Sequence, residues 1–190
     1  MRVGVLALQG DVREHAEILE GLGADVVRVR LPEDLTDIDA LVLPGGESTT
    51  IGMLADRYGM VEPLRTAIRR GLPTFGTCAG MIFLSGATTE DHPQVQLGVL
   101  DVVVQRNAFG RQSESFEADL VVEGIEEPVH AVFIRAPWIA KVGQGVEVLA
   151  EVDGHPVMVR EGNVLAASFH PELTGDDRIH ALLLAMVEDT

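Results

Sequence analysis

The 190 residues carry 14 Lys and Arg against 30 Asp and Glu, a formal net charge of −16; phosphate backbones and anionic bilayers are repelled at most approaches, which argues against nucleic-acid and membrane-surface functions. A hydrophobic fraction of 46% suffices for one substantial core, and no stretch nears the roughly 18 apolar residues that span a bilayer. A single cysteine excludes an intramolecular disulfide framework and fits a reducing, cytoplasmic location in which a thiol stays available.

The first segment, Met1 to Leu8, lacks a signal-peptide pattern, because its short apolar run gives way at once to Gln9-Gly10-Asp11. Val3 to Leu8 reads as a strand buried on both faces. Asp11 is positioned to cap a helix whose Val12, Ala16, Leu19 and Leu22 recur at helical spacing, with Gly21 and Gly23 at its exit. A strand follows over Ala24 to Val29. Another apolar run, Ala40 to Leu43, stops at Pro44-Gly45-Gly46, and Ser48 to Tyr58 reads as a helix. A further helical stretch closes near Ile68, and Thr74-Phe75-Gly76 is a short strand that runs into Thr77-Cys78-Ala79-Gly80.

Strand, turn and helix repeated in this order predict an α/β fold: a single-domain, doubly wound mixed sheet flanked by helices, with ligands collecting at the carboxyl ends of the strands. The second half changes character. Val99 to Gln105, Phe116 to Val122, Val129 to Ile134, Val146 to Val152, Val157 to Arg160 and Val164 to Ser168 are strand-like, with turns at Asp153-Gly154 and Glu161-Gly162-Asn163. Ile179, Leu182, Leu183, Met186 and Val187 make the apolar stripe of a closing helix. No repeat or linker divides residues 1–190, which read as one domain. Ser85 to Gln96 carries no readable signal.

A lone cysteine is by default a small buried hydrophobe. Its context here reverses that default. Gly76-Thr77-Cys78-Ala79-Gly80 has the form G-x-C-x-G between a buried strand and the apolar Met81-Ile82-Phe83-Leu84, the layout of a nucleophile elbow. Helix-start dipoles there favour the reactive thiolate. Among six histidines, His15, His92, His130, His155 and His180 read as surface or structural residues. His170 differs, because it ends an apolar strand and precedes Pro171-Glu172. In an extended segment residues i and i+2 share a side, so Glu172 reaches back to the imidazole and fixes its tautomer. Without the cysteine elbow, the same residues would read as an ordinary His-Pro turn. The backbone N–H of Ala79 supplies one oxyanion donor. Pro44-Gly45-Gly46 is a place where unshielded backbone approaches a ligand.

Taken in order, Pro44 to Ser48, Gly76 to Gly80 and Ser168 to Glu172 resemble class I glutamine amidotransferases, a flavodoxin-like fold. Within that class, Val5 to Asp11 with His15, Leu43 through Ile51, Gln105 to Gln112 and Phe133 to Pro137 resemble the glutaminase subunits of pyridoxal 5′-phosphate synthase. The resemblance runs essentially end to end. It implies a Cys78, His170 and Glu172 triad, an oxyanion hole from Ala79 and Gly46, and L-glutamine held by Gly46, Glu47, Ser48, Arg106, Ile134 and Arg135. It implies hydrolysis through a γ-glutamyl thioester with no metal and no cofactor. It also implies ammonia transfer to a (β/α)₈-barrel synthase subunit in a large hetero-oligomer, with little activity until that subunit docks. The competing expectation is a stand-alone cysteine hydrolase or peptidase on the same fold, which would need no partner.

Overall fold

The computed structural model describes residues 1–90, 94–106 and 115–188. In the first half, β1 (Arg2–Leu6), α1 (Val12–Gly21), β2 (Asp25–Val29), β3 (Ala40–Leu43), α2 (Ser48–Arg57), α3 (Val61–Arg69), β4 (Thr74–Thr77) and α4 (Ala79–Leu84) follow one another. The second half supplies β5 (Ser85–Thr88), β6 (Leu100–Gln105), β7 (Phe116–Leu120), β8 (Val129–Phe133), β9 (Trp138–Val142), β10 (Glu147–Val152), β11 (His155–Glu161), β12 (Val164–Ala167) and α5 (Arg178–Glu188). Two strands, β5 and β9, were not legible in the sequence. The former falls in the unreadable Ser85 to Gln96 stretch, and the latter is short, with only Ile139 fully buried.

The main sheet has the order β10-β11-β12-β4-β3-β1-β2. From β2 to β12 all neighbours are parallel, whereas β11 and β10 extend the sheet antiparallel. The mixed α/β sheet flanked by helices is the architecture that the alternation of elements predicted. Smaller sheets, β5-β6-β9 and β7-β8, pack beside it.

Period-2 geometry explains how such uniformly apolar strands build two cores. Leu6, Leu41, Leu43, Val164 and Ala166 face one side, where Ile51 and Ala55 of α2, Leu64 and Ile68 of α3 and Met81 to Leu84 meet them. Val3, Val5, Ala40, Val42, Phe75, Leu165 and Ala167 face the other, against Leu19 of α1 and Ile179, Leu183 and Met186 of α5. The β7-β8 hairpin covers this second face with Leu120, Val129, Ala131 and Phe133. No helix among the described residues is long and apolar enough to cross a membrane.

Turn chemistry matches the residues present. Asp153 and Gly154, at φ 50° and 77°, join β10 to β11 in the left-handed conformation that a tight hairpin requires. Asn163 uses its side-chain amide to donate to the carbonyls of Ile68 at 2.9 Å and Leu72 at 2.8 Å, tying the β11-β12 turn to the end of α3.

Close approach of α4 to β3 depends on Gly80, where a methyl group would collide with the Leu43 carbonyl. Gly80→Ala is therefore expected to cost about 1–3 kcal/mol in urea unfolding, the usual range for overpacking. Gly21, at the last position of α1, has open space where a side chain would go. Gly21→Ala should leave stability unchanged or raise it by up to about 1 kcal/mol.

Candidate active site

The parallel pairing of β4 with β12 aligns Thr77 with Ala167, so both chains leave the sheet at the same level. One residue beyond, Cys78 donates its N–H to the Ala167 carbonyl at 2.8 Å. Its backbone sits at φ 46° and ψ −103°, a conformation rare for a residue with a side chain. The turn is held in place by its surroundings: α4 starts at the next residue, Ala79, and Gly76 and Gly80 pack backbone against backbone. This is the elbow expected from G-x-C-x-G.

Three residues beyond Ala167, His170 donates its backbone N–H to the Val132 carbonyl on β8 at 2.9 Å. His170 Nδ1 lies 2.7 Å from Glu172 Oε1, and both residues are buried. The pair forms for a different local reason than the one expected. Pro171–Leu173 is a 3-10 turn and not an extended segment, so the carboxylate returns to the ring by helical curvature. Cys78 is the other side-chain partner of the His170 ring.

Burial opposes charging of His170, but hydrogen bonding to Cys78 and Glu172 outweighs it and raises the imidazole pKa to about 10. For Glu172, burial pushes the carboxyl pKa up while the His170 bond works against it. The shared proton belongs on the imidazole, which faces the sulfur and two carboxylates. The second carboxylate is Asp11, whose Oδ2 lies 3.6 Å from His170 Nδ1. Asp11 was expected to cap α1, yet its side chain makes no capping hydrogen bond. An imidazolium beside a sulfur is the arrangement that a thiolate nucleophile requires.

Gly45 and Gly46 lie opposite, after β3. A side chain on Gly45 would strike the His170 ring, and one on Gly10 would strike the Gly45 carbonyl, so two backbones and the imidazole converge here. Gly46 adopts φ 152°, open to glycine. The loop is pinned from β1: Asp11 donates its N–H to the Gly45 carbonyl at 3.2 Å, and Glu47 donates its N–H to Gln9 Oε1 at 2.8 Å. The sequence showed Gln9-Gly10-Asp11 as a strand end, a helix cap and part of the family pattern; its contact with the glycine loop is a long-range feature that periodicity does not reveal.

A small cavity of about 70 Å³ joins these parts, lined by Gly46, Glu47, Ser48, Cys78, Ala79, Ile82, Arg106, Ile134, Arg135 and Pro137. All the candidate substrate-binding residues meet there. Glu47 has a second task, capping α2 by accepting from the N–H groups of Thr49 at 3.0 Å and Thr50 at 2.8 Å. Burial works to raise its pKa, but these bonds and the Thr50 hydroxyl hold it at about 2. Arg106 Nη2 approaches Glu47 Oε1 at 3.3 Å, with Thr49 and Gln94 oxygens near Nη1 at 3.4 Å. Arg135 sits at φ 46°, a second non-glycine residue in a rare backbone state at the same cavity. A larger hollow of about 370 Å³ beside Arg13, Arg28 and Arg30 contains no nucleophile, so chemistry selects the smaller cavity. His92 and positions 107–112 of the family pattern lie outside the described residues.

Of the other histidines, His130 bridges Asp119 and Glu117 at 2.9 Å each on the β7-β8 hairpin, and His155 stacks on Trp138. His15 and His180 are fully buried beside Glu172 and Thr77, not on a solvated helix face.

The SNO glutamine amidotransferase family model matches residues 5–189. The chain is 61% identical over 188 residues to the pyridoxal 5′-phosphate synthase subunit PdxT of Parafrankia sp. (strain EAN1pec), covering 98% of this chain and 93% of that protein. The subunit of the same name from Streptomyces coelicolor is 58% identical over 187 residues, covering 97% of this chain and 93% of that one. A solved glutamine amidotransferase superposes with a TM-score of 0.94 at 54% identity, covering 98% of each chain. PurLQS from Thermotoga maritima shares the fold alone, at a TM-score of 0.70 and 19% identity over 99% of this chain and 97% of that one. With match, identity and architecture in agreement over nearly its whole length, the chain belongs to the SNO glutamine amidotransferase family.

Proposed function

We propose that residues 1–190 act as one glutaminase unit that hydrolyses L-glutamine to L-glutamate and ammonia at Cys78, and that the ammonia passes to a pyridoxal 5′-phosphate synthase partner. The observation that carries this reading is the contact of Cys78, at its strained elbow, with the buried His170–Glu172 pair. The relatives named as synthase subunits support the choice of partner. A (β/α)₈-barrel synthase subunit in a large hetero-oligomer fits the family resemblance, and the free thiol fits a cytoplasmic setting.

In this reading the Cys78 sulfur attacks the side-chain amide carbon of glutamine while His170 holds the proton. The N–H groups of Ala79 and Gly46 receive the oxyanion. His170 gives its proton to the departing nitrogen, releasing ammonia and leaving a γ-glutamyl thioester. Water then attacks that ester, its proton goes to His170, and glutamate leaves as the sulfur is restored. Arg106 and Arg135 address the substrate carboxylate, with main-chain groups of Gly46 to Ser48 and Ile134 alongside. Glu47 serves chiefly by holding that loop and Arg106 in place.

Partner dependence has a physical basis in the glycine loop. The Gly45 carbonyl is tied to Asp11 N–H, so turning the Gly45-Gly46 peptide toward an oxyanion breaks that bond. Docking of the synthase supplies the compensation. The enzyme then hydrolyses glutamine only where its ammonia is used.

Cys78→Ala, assayed with the synthase, should lose glutaminase activity by a factor on the order of 10⁴ or more without a fall in melting temperature. Full activity in that variant sinks the proposal, and equal wild-type rates with and without synthase favour a stand-alone hydrolase. The raised His170 pKa gives a second test. Stability from the charged imidazole is complete below the ordinary value of 6.5 and is lost as pH rises toward about 10. Wild type should therefore weaken between these limits relative to Glu172→Gln, whose imidazole titrates nearer its ordinary range. Identical stability-versus-pH curves in the two proteins would contradict this account of the pair.

A further inference from the structure

Three polar side chains that the proposed mechanism does not use are buried beside the triad. His15 on α1, Thr77 at the end of β4 and His180 on α5 are each fully inaccessible. His15 Nδ1 lies 2.8 Å from His180 Nε2. Its other nitrogen, Nε2, is 3.1 Å from Thr77 Oγ1 and 3.5 Å from Glu172 Oε2. Glu172 Oε1 is taken by His170, whereas Glu172 Oε2 and His180 Nδ1 have no hydrogen-bond partner.

These distances determine where the protons sit. Burial holds the pKa of His15 well below its ordinary value, with His180 and His170 adding to the shift, and burial holds His180 at about 4. Both rings are neutral, so each carries one N–H. If His15 donated from Nδ1, its Nε2 lone pair would face a carboxylate oxygen, and His180 would bury an N–H at Nδ1 with no acceptor. The reverse tautomers avoid both penalties. His180 Nε2–H donates to His15 Nδ1, and His15 Nε2–H donates to Thr77 Oγ1, with Glu172 Oε2 3.5 Å from the same nitrogen. His180 Nδ1 then leaves a lone pair unmatched and not an N–H, and Glu172 Oε2 has a polar neighbour in His15 Nε2 short of a hydrogen bond.

We propose that His15 is a positioning residue for the glutaminase reaction, its Nε2, tied to Thr77 Oγ1 and 3.5 Å from Glu172 Oε2, helping with His180 behind it to hold the carboxylate that orients His170. The inference rests on the glutaminase reading above. Glu172 sits on a 3-10 turn three residues long and its second oxygen has no hydrogen-bond partner among the described residues, so the polar contact from His15 adds to the bond with His170 in resisting rotation of the carboxylate about its terminal bond. Rotation weakens the bond to His170 Nδ1 and loosens the ring against the sulfur. That loss falls on the chemical step and leaves glutamine binding alone.

Two amide variants separate this role from mere packing. The side-chain nitrogen of His15→Gln reaches the place of ring Nε2, whereas that of His15→Asn reaches only the place of Nδ1. Steady-state glutaminase assays with saturating synthase should show kcat of His15→Asn reduced on the order of tenfold or more, with KM for glutamine within about twofold. His15→Gln should recover to within about threefold of wild type. Equal losses in both variants, an effect on KM alone, or an unaffected His15→Asn overturns the proposal. Should either variant fail to fold, His180→Gln keeps a donor toward His15 Nδ1 and His180→Leu removes it; equal kcat values in that pair overturn it as well. A wild-type protein with no glutaminase activity beside the synthase sinks the functional reading, whereas an active wild type with an unaffected His15→Asn sinks only this inference.

Discussion

Parallel pairing of β4 with β12 is the constraint on which the candidate site depends. With Thr77 opposite Ala167, a residue one step past β4 and a residue three steps past β12 emerge side by side at the carboxyl edge of the sheet. A slip of one residue would send Phe75 or Leu165, whichever strand moved, from one core to the other and would separate Cys78 from His170. The register is held by burial: Thr74 to Thr77 and Val164 to Ala167 are inaccessible on both faces, and alternate side chains fill two distinct cores. The hydrophobic effect that folds the sheet thus also positions the nucleophile.

Missing side chains do the next part of the work. Gly80 lets α4 reach β3, Gly10 lets the β1 loop reach the Gly45 carbonyl, and Gly45 lets the glycine loop reach the His170 ring. Each contact brings backbone to within van der Waals range of another element, where a methyl group would collide. Around this dense arrangement the charged groups are arranged by function: Glu47 caps α2 and meets Arg106, while Glu172 and Asp11 face the imidazole. A protein of net charge −16 thereby gathers two arginines, Arg106 and Arg135, at the cavity that also holds its thiol.

Much of this was legible in the sequence, for reasons that differ from residue to residue. Strands such as Ala40–Leu43 and Val164–Ala167 announce themselves because burial on both faces demands continuous apolar runs. The elbow was readable because Cys78 needs glycines at fixed offsets, and the His170–Glu172 pair because the two residues are near neighbours. Long-range geometry was not readable. Asp11 looked like a helix cap but faces His170, Glu172 returns by a 3-10 turn and not by an extended backbone, and His15 and His180 pair across 165 positions. Those contacts are set by how α1 and α5 pack on the sheet, which local patterns do not encode. The short, largely exposed strands β5 and β9 escaped because neither has a long enough buried pattern to read.

The account turns on Cys78 becoming covalently attached to substrate carbon. Its most direct test is intact-protein mass spectrometry of the chain mixed with the synthase and L-glutamine and quenched in acid within the first turnovers. The account predicts a species heavier by one γ-glutamyl group, mapped by peptide digestion to Cys78 and absent when glutamine is replaced by glutamate. Glutaminase turnover with no adduct under any quench time, or an adduct on another residue, would contradict it.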